Sequence, residues 1–230
     1  MPSQLKIDLL TLFPEMISGF LSESIIGRAR EKGILDISVH NLRDWATDKH
    51  HITDDRPFGG GAGMVLKPEP LYAAIEELRT EKAKVIMMAP YGVTLTSSIG
   101  KKLAAAAHLI FISGHYEGID ERIREDLVDL ELSIGDYILT NGTLPAAVMI
   151  DCISRFVPNV LGDENSLTQD CFNENLLSFP QYTRPVDYRG KKVPDVLLTG
   201  NHAEIKQWRE EQRIERTKKY RPDLISKKNV

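Results

Sequence analysis

Apolar positions in the first 157 residues follow two alternating rhythms. KIDLLTLF (6–13), KVIMMAP (84–90) and HLIFIS (108–113) are short β-rich apolar runs that read as strands, and LDISVH (35–40) alternates like one. Between them lie helical patterns. One begins at Pro14, which suits a first helical turn, and ends at Gly33, which suits a C-terminal cap; others lie near 69–82 and near 95–107. LPAAVMIDCISRFV (144–157) has helical apolar spacing and closes the unit. Strands separated by helices predict an α/β fold with a mostly parallel sheet covered on both faces. Beyond Pro158 the periodicity lapses: 158–185 is polar, turn-rich and longer than the loops of compact domains. It returns in HAEIKQWREEQRIERT (202–217), where Asn201 and Glu204 predict a capping box. There is no internal repeat and no low-complexity tract.

Composition narrows this picture little and charge narrows it more. The 230 residues are 42% hydrophobic and 27% charged, enough for one large domain with a small appendage. No stretch approaches the roughly 20 apolar residues of a membrane span, and the N-terminal run has no small-residue cleavage site behind it, so the chain reads as cytoplasmic. Cys152 and Cys171 are far apart, which indicates neither a disulfide framework nor a thiolate zinc site. The net charge of −4 is unevenly spread. Residues 181–230 carry 13 Lys+Arg against 7 Asp+Glu, leaving 16 against 26 in the rest. A basic tail on an acidic body suits nucleic-acid contact, although charged helices are commonly solvated faces.

Candidate chemistry gathers in glycine-rich segments. DDRPFGGGAGM (54–64) has four glycines in five positions, yet it is no P-loop, since Met64, Val65 and Leu66 follow where Lys and Ser/Thr are needed. Nor is it a Rossmann fingerprint, because a polar stretch precedes it in place of a strand. Three further loops, APYGVTL (89–95), SGHYEGIDERI (113–123) and SIGDYILTNGTLPA (133–146), fall where ligands bind in open α/β sheets, outside the carboxyl ends of strands. A pocket walled by backbone can read an adenine edge and a ribose without an anion site, which favours an uncharged or zwitterionic nucleoside over a triphosphate. His50 and His51 are adjacent and lack a third ligand at metal spacing. Glu117, Asp120 and Glu121 are better read as loop wall and helix start than as a paired-carboxylate hydrolase site.

LFPEM, DDRPFGGGAGM, GHYEGIDER, SIGDYIL, RF followed by NVLG, YTRP and GNHAEI stand in the order and spacing of the bacterial tRNA (guanine-N1)-methyltransferase family of the SPOUT superfamily, which the chain resembles over nearly its whole length. The resemblance implies a SPOUT-type mostly parallel sheet with a deep trefoil knot, plus a small helical C-terminal domain. It also implies domains at 1–160 (methyltransferase) and 179–230 (basic, tRNA-binding), with a linker at 161–178. The implied enzyme is a homodimer, with its active site at the subunit interface, that moves a methyl group from S-adenosylmethionine to N1 of the guanosine immediately 3′ of the tRNA anticodon. Magnesium dependence is a family trait, but the sequence shows no dedicated cage.

Carried over by matching position, the cofactor wall comprises Pro90, Gly92, Gly114, Tyr116, Glu117, Ile134, Gly135, Asp136, Tyr137, Ile138, Leu139, Gly142 and Pro145. Asp170 matches the family's general base and Arg155 the cation that stabilises charge growing on O6. Asp54 and Gly63 match residues against the target guanosine and its 5′ neighbour. Asp54 can accept from guanine's N1 and exocyclic amine, a pairing adenine lacks, and the glycines are expected to admit a flat, extruded purine. Lys206, Arg209, Arg213, Arg216, Lys218 and Lys219 are candidate phosphate contacts. Asn141 and Thr143 depart from the family, which usually has glycine and glutamate there, and Cys171 stands where serine is common. A SPOUT enzyme for another base would not need Asp54 together with Asp170, and a non-catalytic RNA-binding module would need neither the cofactor wall nor Arg155.

Overall fold

Side chains alternate across a strand, so an apolar run such as LKIDLLT fills two cores at once. In β1 (Leu5–Thr11), Leu5, Ile7 and Leu9 enter one core and Leu10 the other; in β6 (His108–Ile112), Leu109 and Phe111 oppose Ile110 and Ile112 in the same way. With β2 (Leu35–Asn41), β5 (Ala83–Thr94) and β7 (Leu130–Ser133) they form one sheet in the order β2-β1-β6-β5-β7, parallel at every pairing. One face is covered by α1 (Glu15–Ser22), α2 (Ser24–Glu31), α4 (Ser97–Leu103) and α6 (Thr143–Ser154). The other is covered by α3 (Pro68–Leu78), α5 (Glu121–Leu127) and a 3-10 turn at Leu42–Trp45. The predicted doubly covered parallel sheet is therefore present. This computed structural model describes residues 5–162, 167 and 170–226, and divides the chain into two compact units, 1–162 and 163–230.

Three local expectations are corrected. The helix expected from Pro14 to Gly33 is two helices, because Glu23 is extended and Ser24 takes a left-handed φ of 56°. Gly27 permits the break: a Cβ there would lie 2.3 Å from the Ser22 carbonyl oxygen. Of the stretch 89–95, expected as a loop after a strand, 89–94 belongs to β5, whose pairing with β7 slips between Met88 and Val93 in a bulge. The helix expected near 95–107 is confined to Ser97–Leu103.

One polar network interrupts the apolar sheet. Buried Asp8 accepts from Nε2 of both His40 and His108 at 2.7 Å and pairs with Lys6 at 3.0 Å, while Thr80 Oγ1 meets His108 Nδ1 at 2.9 Å. The second unit contains the hairpin of β8 (Asp187–Tyr188) and β9 (Lys191–Lys192), then α7 (His202–Tyr220) and α8 (Pro222–Ser226). Buried Thr217 holds it together, donating to the Arg213 carbonyl at 2.7 Å and accepting from Leu177 N at 2.9 Å. Asn201 caps α7 by accepting from the backbone N–H of Ala203 and Glu204. No described helix is long and apolar enough to cross a membrane.

Candidate active site

The carboxyl ends of β5, β6 and β7 open onto a cleft of about 330 Å³. Its walls are the bulged end of β5, the 113–118 loop and the 132–145 segment. The loops are bound to one another through the main chain: Gly142 N donates to Gly114 O at 2.8 Å, and His115 bridges Asn141 in antiparallel fashion. Close approach explains the glycine at 142, where a Cβ would come within 3.0 Å of Gly114 N and Ser113 Cα. Tyr116 holds a left-handed φ of 57°, a strain that marks the loop as over-determined by its surroundings.

Eleven of the thirteen expected cofactor residues line this cleft: Pro90, Gly114, Tyr116, Glu117, Ile134, Gly135, Tyr137, Ile138, Leu139, Gly142 and Pro145. Gly92 and Asp136 are not among the lining residues. Gly92 instead lies against β7, where a Cβ would fall 2.6 Å from Glu131 C and Leu132 N, so it makes the β5 bulge possible. Asp136 is an exposed residue of the third loop. Among the lining residues Glu117 is the one carboxylate, and there is no lysine or arginine. That donor set suits a cationic or uncharged nucleoside and offers nothing to a polyphosphate.

The glycine-rich segment is docked to the same loops. β3 (Asp54–Asp55) pairs antiparallel with β4 (Val65–Leu66), and Leu66 N donates to Gly118 O while Glu117 N donates to Met64 O, both at 3.0 Å. Gly63 has a φ of 80°, and a Cβ there would sit 2.5 Å from Glu117 Cγ, so its backbone lies directly on the side chain of a cleft residue. Gly59, Gly60 and Gly61 differ: a Cβ would meet only open space, and their positive φ angles supply the need for glycine. Asp54 is half-buried at the start of this hairpin.

Arg155 caps the carboxyl end of α6 and is half-buried. Asp170 is half-buried in the second unit; of the expected linker, 163–166 and 168–169 lie outside the described residues. The tail cations divide into two groups. Lys206, Lys218 and Lys219 are exposed, but Arg213 is buried and paired with Glu174 and Glu210, which corrects its expected role as a phosphate contact. Arg209 packs over Phe179 at 4.7 Å and Arg216 over Tyr220 at 5.9 Å.

Several roles at the site were not legible in the sequence. The Thr143 hydroxyl is buried between Thr11 Oγ1 and Ser113 Oγ, 3.0 Å from each, so one side chain joins the ends of β1 and β6 to the start of α6. Asn141 Oδ1 accepts from Thr143 N at 2.9 Å and takes the place of a helix cap. The two departures from the family pattern are thus used structurally, at the cleft's own edge. His115 lines the cleft with its ring against Phe13 and Tyr116, and its buried Nδ1 has no hydrogen-bond partner among the described residues. Its place in GHYEG is the one signal that could have singled it out. Among the described residues, no group of three or more His, Cys, Asp or Glu could hold a metal ion.

Fold and site together define an α/β protein with a cleft, uncharged but for Glu117, beyond the carboxyl ends of its parallel strands. The sequence pattern of the tRNA (Guanine-1)-methyltransferase TrmD family matches residues 5–227. Proteins called tRNA (guanine-N(1)-)-methyltransferase in Staphylococcus epidermidis and Brevibacillus brevis are each 54% identical, over 96% and 97% of this chain and 91% and 92% of their own lengths. Another so called, in Geobacter sulfurreducens, is 53% identical over 97% of this chain and 92% of its own. The chain belongs to the TrmD family of tRNA (guanine-1)-methyltransferases, and its sheet is the α/β body of a SPOUT enzyme.

Proposed function

We propose that this protein methylates N1 of the guanosine immediately 3′ of the tRNA anticodon, with S-adenosylmethionine bound in the cleft of β5, β6 and β7. The observation that carries the reading is the lining of that cleft, which holds a single carboxylate, Glu117, and no lysine or arginine. The 330 Å³ volume lies within the range of small-molecule sites. When bound, S-adenosylmethionine supplies an electrophilic methyl on a sulfonium and leaves as the neutral thioether.

The chain's own residues do the rest. Asp54 and Gly63 receive the extruded purine, Asp54 accepting from its N–H edge, and the docking of Gly63 on Glu117 supports placing that base next to the methyl donor. Asp170 takes the N1 proton, and the freed electron pair forms the N–CH3 bond. As N1 loses its proton, negative charge spreads to O6, where the Arg155 guanidinium stabilises it more in the transition state than in the ground state. Residues 1–160 form the methyltransferase domain and 179–230 the tRNA-binding domain, joined by 161–178; the division into two compact units supports this.

The reading includes the trefoil knot. Its support is that the chain leaves β7 at the sheet edge, returns to bond Gly142 to Gly114, and packs α6 between α1 and α4. The reading also includes a cytoplasmic homodimer with the active site at the subunit interface. Its support is the apolar face that Met16, Leu144 and Val148 expose, 46%, 53% and 47% accessible, on two helices packed together. Methyl transfer to a tRNA transcript tests the roles: Asp170→Ala should lower turnover roughly 100- to 10,000-fold with donor affinity unchanged, and Arg155→Ala about 100- to 1,000-fold. Full activity in Asp170→Ala would remove the base from the mechanism.

A further inference from the structure

We propose that a second cleft, built entirely within the C-terminal unit, binds an unpaired nucleobase of the RNA by stacking, with Arg184 on the adjacent phosphate. It rests on the RNA substrate argued above and adds a contact outside the methyl-transfer site. The cleft has a volume of about 360 Å³. Its wall is aliphatic, from Val186, Val193 and Leu197, and three aromatic residues, Phe179, Tyr182 and Trp208, complete the lining. The Tyr182 and Trp208 rings lie 6.4 Å apart at 51°, forming a wedge in place of a stacked pair. Tyr182 is 49% exposed, so an aromatic surface is left for a planar ligand.

The rim decides which planar ligand. Val193 N donates to Val186 O at 2.9 Å, so the hairpin of β8 and β9 springs directly from the cleft wall. Between 184 and 192 the chain exposes Arg184, Arg189, Lys191 and Lys192. The one acid in that span, Asp187, is engaged within its own turn, accepting from Gly190 N at 3.0 Å. Arg184 makes no hydrogen bond or ion pair with any other described residue, and the Trp208 indole N–H has no acceptor among them. An apolar protein segment would leave these cations without partners. A nucleobase with its phosphate uses both halves of the site: the ring face on Tyr182, a base carbonyl for the indole N–H, and the anion for the guanidinium.

The test uses the full chain in a Trp45→Phe background, which leaves Trp208 as the single tryptophan of the two. Titration with a substrate tRNA transcript should quench Trp208 emission over the same concentration range as RNA binding measured by filter retention. Tyr182→Ala should weaken tRNA binding about 5- to 100-fold, as loss of one stacking platform does, with Tyr182→Phe close to the parent. Arg184→Ala should lower the salt dependence by about one phosphate contact. S-adenosylmethionine affinity should be unchanged in all of these. Unaltered Trp208 emission with parental tRNA affinity in Tyr182→Ala, in a protein that still methylates the transcript, would overturn the subsite alone. A parent that binds no transcript and transfers no methyl would overturn the RNA reading and this inference with it.

Discussion

Gly142→Ala isolates the role of backbone contact in the cleft. The φ and ψ of Gly142, −83° and 0°, suit any residue, so the substitution brings no conformational penalty. Its cost is steric. The new Cβ would lie 3.0 Å from Gly114 N, 3.0 Å from Ser113 Cα and 3.2 Å from Met88 Cβ, against backbone and a buried strand that cannot rotate away. Relief requires the 134–142 loop to move by roughly half an ångström, and overpacking of this kind costs about 1–3 kcal/mol. The reduced freedom of the unfolded chain offsets about 0.4–1 kcal/mol of this in stability, though not in ligand affinity. Because Gly114 and Gly142 both line the cleft, about 1–2 kcal/mol of the steric cost should appear in ligand affinity, raising the Kd for S-adenosylmethionine about 5- to 30-fold. Titration calorimetry measures this directly. Gly19→Ala is the control: its Cβ meets nothing within 4 Å in α1, so it should stabilise by roughly 0.5–1 kcal/mol with the Kd unchanged. Parental affinity in Gly142→Ala would refute the view that closely packed main chain shapes this site.

Three further outcomes are expected. Burial pushes the Asp8 carboxyl up, but hydrogen bonds from His40, Lys6 and His108 outweigh it and bring its pKa down from 3.8 to about 2. That contribution is present in full above pH 3.8 and lost as the pH falls toward 2, so denaturant melts should show the parent losing about 2 kcal/mol across this window that Asp8→Asn does not lose. Equal slopes in the two proteins would contradict it. Leu144→Asp with Val148→Asp should convert the proposed dimer to a monomer in sedimentation and lower methyl transfer; an unchanged oligomer would place the interface elsewhere. Methylation at sub-saturating tRNA should weaken with salt, and Lys218→Ala with Lys219→Ala should flatten that dependence by about two contacts, whereas an unchanged slope would exclude these lysines.

The strands and most helices were legible because their apolar periods are long and both sheet faces are buried, as in KVIMM and HLIFI. The elements missed are those whose cause is tertiary. LELS at 130–133 is short and half polar, and becomes a strand through its pairing with β5. Pro90 and Gly92 signal a loop, yet β5 continues through them as a bulge, since Gly92 lets the β7 backbone approach. The break at Ser24 is hidden because Gly27, three residues later, allows it. At the site, the positions taken from the family pattern largely converge on one cleft, but the Thr11–Thr143–Ser113 hydroxyl cluster joins residues up to 132 apart in sequence, a proximity no local pattern encodes. Arg213 looked like any other tail cation; its burial against Glu174 and Glu210 depends on how the C-terminal unit packs.

The base at the target position decides whether this enzyme is a guanosine methyltransferase of the kind proposed. Purified protein is given labelled S-adenosylmethionine and two tRNA transcripts that differ only at the position 3′ of the anticodon, guanosine in one and adenosine in the other, and the products are digested to nucleosides. The expected product is 1-methylguanosine from the first transcript, with no label in the second. Equal labelling of both, or none in the guanosine transcript, would rule out guanosine N1 as the methyl acceptor.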